Sequence, residues 1–372
     1  MIYLDNAATT FKKPQSVISA VDECLKKYCG NPGRSSHFLS MKTSEMIYET
    51  REIVSRHLGV DNPERVIFFQ NATHALNFAI KSSINDGDHV IISDIEHNAT
   101  LRPVHLLESL GKISYSIFSS SGNIIKNITD LVTDKTTCII TTGQSNAFGR
   151  EIDLEKVINL SNEKNLTLII DAAQVLGHKK VDLSKAKNVV LCAPAHKGLF
   201  GIQGCGFSVL TDNKKRKTFV EGGSGSNSKS LTMPDDPPER YEAGTLSSPA
   251  IISLLYGLKY VEDVSVEIIN KKINDLSLYA KDIISSLNGA ILYESGNGII
   301  SFNLKGIPCE IVSYELNKKE IYTRAGLHCA PLAHRTLGTY DLGTVRASLS
   351  YFNKRTDISR LYKALKDIRS KY

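Results

Sequence analysis

The feature that most constrains the fold is a repeated alternation between short, mostly apolar runs and longer stretches with helical periodicity. Apolar runs at residues 65–70, 89–94, 113–118, 137–142, 166–171, 189–193 and 206–210 read as strands. Helical patterns intervene at 73–84, 100–110 and 154–164. A strand that is apolar along its length has both faces buried, and the helices between such strands supply the cover. The pattern predicts an α/β fold with a mostly parallel, seven-stranded sheet. The rhythm breaks at 221–238, where glycine, serine and proline read as loop. Beyond residue 247 a long helical region, 249–287, precedes strands at 298–304, 320–324 and 345–352. A final helix at 356–371 carries Ile358, Leu361, Leu365 and Ile368 on one face. A large α/β domain followed by a smaller C-terminal α+β domain is expected.

At 372 residues the chain can bury a large core without disulfides or metals. Its seven cysteines include no C-x-x-C pair, so neither a disulfide framework nor a zinc site is suggested. No apolar run approaches the roughly 20 residues of a spanning helix. The first residues, Met1-Ile2-Tyr3-Leu4-Asp5-Asn6, lack the basic segment and long apolar stretch of a secretion signal. A cytoplasmic protein with no membrane partner is expected. Net charge is +6, from 45 basic and 39 acidic residues spread along the chain. The one dense basic run, Lys214-Lys215-Arg216-Lys217, reads as a solvated turn. No nucleic-acid-binding module accompanies it, so no nucleic-acid partner is expected.

In open parallel sheets, ligands bind beyond the carboxyl ends of the strands. Four such places carry unusual polar residues. Asn71-Ala72-Thr73-His74 opens a helix, where backbone N–H groups and a hydroxyl can cradle phosphate; the plain alternative is Thr73 as an N-cap. Glu96-His97-Asn98 offers a ring that can stack on a planar ligand, or simply a polar loop. Asp171 ends a buried strand, where an acid needs a partner such as a protonated ring nitrogen; it could equally cap the next helix. His196-Lys197 follows another strand, and a lysine beside a phosphate site is what Schiff-base chemistry requires. The later Gly198, Gly201, Gly204 and Gly206 do not match a dinucleotide fingerprint. Phosphate cradle, histidine, acid and lysine, in that order along the chain, together match one cofactor, pyridoxal 5'-phosphate.

With these residues the chain resembles the class V aminotransferase-like enzymes and, within them, the cysteine desulfurases with a short cysteine loop. The resemblance runs from Tyr3-Leu4-Asp5-Asn6-Ala7-Ala8-Thr9-Thr10 to Val345-Arg346-Ala347-Ser348. It includes Glu242-Ala243-Gly244-Thr245 and Arg324-Ala325-Gly326-Leu327-His328-Cys329-Ala330. It implies the fold type I of pyridoxal-phosphate-dependent transferases. The large domain would span residues 13–246, and residues 1–12 with 247–372 would form the small one.

The resemblance implies the following roles. Lys197 would hold the cofactor and shuttle the substrate Cα proton. Asp171 would pair with the ring nitrogen, Gln174 with the ring oxygen, and His97 would stack on the ring. Ala72, Thr73 and His196 would hold the phosphate, and Thr245 would reach the phosphate of a neighbouring subunit, which implies a homodimer. Asn146 and Arg346, with Arg324 and His37, would bind the substrate, L-cysteine. Cys329 would take its sulfur and pass it to a sulfur-acceptor protein, and His328, as a cation, would favour its thiolate. The chain departs from relatives at Pro194, where a hydroxyl or second acid is common, and at Leu327, where a second histidine is common. Other readings stay open at this point: a selenocysteine lyase, an aminotransferase or kynureninase-like lyase, or a catalytically silent cofactor-binding module.

Overall fold

The structure, a computed structural model, describes every residue except Arg34 and Asn227. Its elements begin with β1 (Ile2–Tyr3), α1 (Gln15–Lys27), α2 (Phe38–Leu58), β2 (Val66–Phe69), α3 (Ala72–Ser83), β3 (His89–Ser93), α4 (Asn98–Ser109) and β4 (Ser114–Phe118). They continue with α5 (Ile124–Thr129), β5 (Thr136–Thr142), α6 (Leu154–Glu163), β6 (Thr167–Asp171), β7 (Val189–Pro194), β8 (Gly206–Leu210), α7 (Ser248–Val264) and α8 (Val266–Ser285). The last are β9 (Ala290–Leu292), β10 (Ile299–Leu304), α9 (Cys309–Lys318), β11 (Ile321–Tyr322), β12 (Arg324–Gly326), α10 (Pro331–Thr336), β13 (Thr344–Ser348) and α11 (Arg355–Lys371).

The seven expected strands form one sheet, in the order β2-β8-β7-β6-β5-β3-β4. Only β8 runs against its neighbours; β4, β3, β5, β6 and β7 pair in parallel. Alternation along each strand feeds two cores. Ile67, Val90, Ile140 and Ile169 pack against α3 and α4 on one face. Phe68, Ile91, Ile139 and Ile170 pack on the other, in a core that also holds Cys24 of α1 and Ile53 of α2. A four-stranded antiparallel sheet, β12-β13-β10-β9, builds a separate core with α8, α9 and α11. β1 pairs in parallel with β11, so the N-terminus is part of the C-terminal unit. No helix among the described residues is long and apolar enough to cross a membrane.

Several expectations are corrected. The helical region at 249–287 is two helices, broken at Ser265, whose backbone is left-handed (φ 75°) and whose hydroxyl caps α8 through Ile268 N. α7 lies past residue 247, yet its Ile251, Leu254 and Leu258 join the core of the large sheet. The strand expected at 320–324 is two short strands in different sheets, and the one at 345–352 ends at Ser348. Arg216, expected in a solvated turn, is buried, with Nη1 and Nη2 each 2.8 Å from an Asp212 oxygen. α1 is amphipathic, with Val17, Ala20 and Cys24 facing inward, but α2 carries no strong apolar period. The inward face of α2 includes Ser40, Thr43, Thr50, Arg51 and Ser55, which hides it from a hydropathy reading.

Candidate active site

Three parallel strands and one helix start bring the expected cofactor residues together. Asp171 ends β6 beside Thr142 of β5 and Cys192 of β7. It is buried, and its Oδ1 accepts from Ala173 N at 2.9 Å. Burial pushes its pKa up, while the Lys197 ammonium and the Ala173 N–H push it down. Lys197 follows β7. Burial lowers its amine to about 8; Asp171 opposes this, and Arg346 and Arg324 add to it. An amine so placed is partly neutral at physiological pH, as a nucleophilic lysine must be.

His97 caps α4, its Nδ1 accepting from Ala99 N at 3.0 Å. That bond assigns the ring proton to Nε2. Burial first, then Lys197 and three arginines, lower its pKa to about 4, so the ring is flat and neutral. At α3 the cap is Asn71, whose Oδ1 accepts from His74 N at 3.0 Å. Thr73 is therefore not the cap, and its side chain is exposed beside the free N–H groups of the first turn. β8 presses on this turn. A Cβ on Gly206 would stand 2.2 Å from the Asn71 carbonyl carbon, so only glycine lets the strand support the cradle.

The N-terminal segment holds the lysine from behind. His196 O accepts from Thr10 N at 3.0 Å, Thr9 Oγ1 at 3.3 Å and Lys13 Nζ at 3.2 Å. Thr10 Oγ1 donates to Lys197 O at 2.9 Å. Gln174 Nε2 donates to Ala7 O at 2.9 Å, which leaves one amide hydrogen for a ligand.

The C-terminal unit contributes the cysteine and two arginines. Arg324 of β12 stands directly opposite Arg346 of β13. Like charges so placed repel unless anions lie between them. Arg346 donates from Nη2 to Asp5 Oδ1 at 2.6 Å and from Nη1 to Asn146 O at 2.8 Å. Arg324 Nη2 donates to Cys329 Sγ at 3.5 Å. His328 and Cys329 both have left-handed backbones (φ 52° and 59°), a costly conformation for such residues. The turn is pinned by Asn146 Nδ2 donating to His328 O at 2.6 Å and Asn98 N donating to Cys329 O at 2.8 Å.

The expected role of His328 is corrected here. Its ring is buried and its Nε2 lies 3.1 Å from Thr344 Oγ1. Burial, then Arg346, holds its pKa well below the usual range, so it is not a cation. The cation at Cys329 is Arg324. His37 is exposed and caps α2 through Ser40 N at 3.3 Å, and Thr245 is exposed on the loop before α7. Among the described residues no hydrogen bond or ion pair joins either to the cluster.

Two residues in the site had no assigned role in the sequence reading. Asp5 pairs with Arg346 across 341 positions, a distance no local pattern reveals. Glu96 is fully buried behind His97, its Oε1 accepting from Ser93 Oγ and from Thr142 N at 2.7 Å. An acid beside a wholly apolar strand was the available signal.

The residues fit pyridoxal 5'-phosphate on what they leave unsatisfied. His196 Nδ1 is buried without a partner on the side chain expected to hold phosphate. Gly206 keeps the first turn of α3 open where a side chain would fill it. A buried carboxylate and an amine lowered to about 8 interact electrostatically, and the ring that Lys197 helps keep neutral stands by them.

A sequence profile of the family described as Aminotransferase class-V matches residues 2–361. The chain is 28% identical over 379 residues to a probable cysteine desulfurase of Methanothermobacter thermautotrophicus, covering 99% of this chain and 94% of that protein. It is 29% identical over 388 residues to a probable cysteine desulfurase of Borreliella burgdorferi, covering 99% and 92%. The solved apo structure of a cysteine desulfurase from Thermococcus onnurineus NA1 matches with a TM-score of 0.89 at 25% identity, covering 100% of this chain and 95% of that one. The expected fold type I, a mostly parallel seven-stranded sheet with a smaller C-terminal unit, is the fold found.

Proposed function

The chain belongs to the class-V aminotransferase family, whose members depend on pyridoxal phosphate, and on that premise we propose that it is a cysteine desulfurase acting on L-cysteine. The observation that carries this reading is the placement of Cys329 on a pinned, left-handed turn with the Arg324 guanidinium 3.5 Å from its sulfur. A thiolate is the reactive form of cysteine, and a neighbouring cation favours it. The names of the relatives support the same activity.

When bound, the cofactor supplies the electron sink that lets bonds around the amino-acid Cα and Cβ break. Lys197 would hold it, Asp171 would pair with its ring nitrogen, and His97 would cover its face. The first turn of α3, Thr73 and His196 would hold its phosphate. Arg346 binds the substrate carboxylate and so orients the amino acid. The Lys197 amine, lowered to about 8 by burial and so partly unprotonated, takes the Cα proton. Cys329 Sγ then attacks the substrate sulfur. The S–S bond forms, the C–S bond breaks, and its electron pair stays with the carbon skeleton, which leaves as L-alanine after protonation. In balance, L-cysteine and the Cys329 thiol give L-alanine and a Cys329 persulfide.

A sulfur-acceptor protein then takes the terminal sulfur. The working unit is a homodimer in which Thr245 reaches the partner's phosphate site. Phe38, Met41 and Tyr48, exposed along one face of α2, support a second copy as their cover. Seven free thiols support a reducing compartment, the cytoplasm. The test is product analysis. Holoenzyme given L-cysteine and a thiol reductant should release sulfide and L-alanine in equal amounts, and pyruvate with ammonia in place of alanine would mark a lyase instead.

A further inference from the structure

We propose that the Asp5 carboxylate occupies the carboxylate subsite of Arg346 in the resting enzyme and surrenders it to the carboxylate of the incoming amino acid. The proposal rests on Arg346 as the substrate-carboxylate partner and adds a residue that competes for it.

The geometry of the guanidinium carries the argument. An arginine grips a carboxylate with two parallel N–H bonds from either of two edges, Nη1 with Nη2 or Nε with Nη2. Nη2 belongs to both, and Asp5 Oδ1 sits on it at 2.6 Å. Nη1 is committed to Asn146 O at 2.8 Å. Nε is buried and has no partner. Nη2 carries two hydrogens, one on each edge, so Asp5 takes one of them through a single bond, Asn146 holds Nη1, and the neighbouring buried Nε donor is left unpaired, which is costly. An amino-acid carboxylate taking the Nε/Nη2 edge would satisfy both nitrogens.

The two partners differ in their freedom to leave. The Arg346 side chain is 1% exposed and that of Asp5 22%, so only the aspartate can turn into water. Its carboxylate makes no other hydrogen bond among the described residues. Its backbone is fixed: Asp5 bridges to Ser348, and its carbonyl accepts from Ala8 N at 3.1 Å and Tyr3 Oη at 3.2 Å. The movement is thus a side-chain rotation. Arg324 lies opposite Arg346 on the next strand, so a resident anion is needed whenever substrate is away. Asp5 supplies that anion, and the exchange keeps the local charge constant. A ligand without a carboxylate has nothing to exchange and leaves Asp5 in place.

The experiment compares wild-type holoenzyme with Asp5→Asn, reading ligand binding from the absorbance change of the bound cofactor. L-Alanine is the carboxylate probe and L-alaninamide its carboxylate-free counterpart. If Asp5 holds the subsite nine-tenths of the time, its removal should tighten L-alanine binding about tenfold, because apparent affinity scales with the fraction of open sites. L-Alaninamide should bind as it does to wild type. Weaker or unchanged L-alanine binding by Asp5→Asn would overturn the proposal and make Asp5 an orienting partner of Arg346. Equal tightening of both ligands would overturn it as well. Asp5→Ser gives the same comparison if Asp5→Asn does not accumulate. Wild-type turnover of L-cysteine tests the proposed reaction separately, so a negative result here counts against Asp5 alone.

Discussion

Among single residues, Glu96 shows how far the site bends ordinary ionisation. Burial raises its carboxyl to about 8 from the usual 4.5; the Ser93 hydroxyl opposes this and Asp171 adds to it. An acid with a raised folded pKa keeps a proton that the unfolded chain has released. Its contribution to stability therefore falls as pH rises from 4.5 and levels off above about 8. Glu96→Gln keeps the acceptor for Ser93 and Thr142 and removes the titration. Denaturant unfolding should show the variant gaining on wild type between pH 5 and pH 8, by up to a few kcal/mol. A difference that does not change with pH would contradict the raised pKa. His97, Asp171 and Lys197 were legible in the sequence because each stands just past a recognisable strand. The Arg346–Asp5 pair was not, since strands from opposite ends of the chain bring it together. His328 misled for the opposite reason. Adjacency to Cys329 suggested a cation, but burial keeps its ring neutral.

At the scale of elements, the contact between β8 and the first turn of α3 fixes the cradle. In Gly206→Ala the new Cβ would meet backbone at 2.2 Å and 2.6 Å, at Asn71 C and Ala72 N, and backbone cannot step aside as a side-chain tip can. The variant should lose about 1–3 kcal/mol of stability, the usual cost of overpacking. Its affinity for cofactor, followed by equilibrium dialysis, should fall because the N–H groups of the turn are displaced. Native affinity would show that the turn is not part of the cofactor site. Six of the seven strands of the large sheet were legible because burial on both faces leaves mostly apolar runs; the edge strand β4 is partly exposed and carries two serines. The smaller unit was read less well. β11 and β12 are only two and three residues long, and the break at Ser265 depends on a left-handed serine that no propensity predicts.

At the scale of the whole molecule, two units, each with a core of its own, meet at the site, and Ala330 and Ala333 of the C-terminal unit also pack into the core of the large sheet. The large sheet holds the lysine, acid and cradle; the C-terminal sheet holds the cysteine and arginines; the N-terminal segment ties them. If Thr245 completes the partner's site, the protein should sediment as a dimer at micromolar concentration, and an active monomer would contradict that. The central claim, however, is that Cys329 receives the substrate sulfur. Of the other cysteines, Cys24, Cys138, Cys192, Cys205 and Cys309 are buried, and burial raises the thiol pKa of each. The most direct measurement is peptide mass spectrometry of wild-type holoenzyme after exposure to L-cysteine without reductant. The account predicts one added sulfur atom on the peptide containing Cys329, with none in Cys329→Ser. Added sulfur on another cysteine, with Cys329 unmodified, would contradict it.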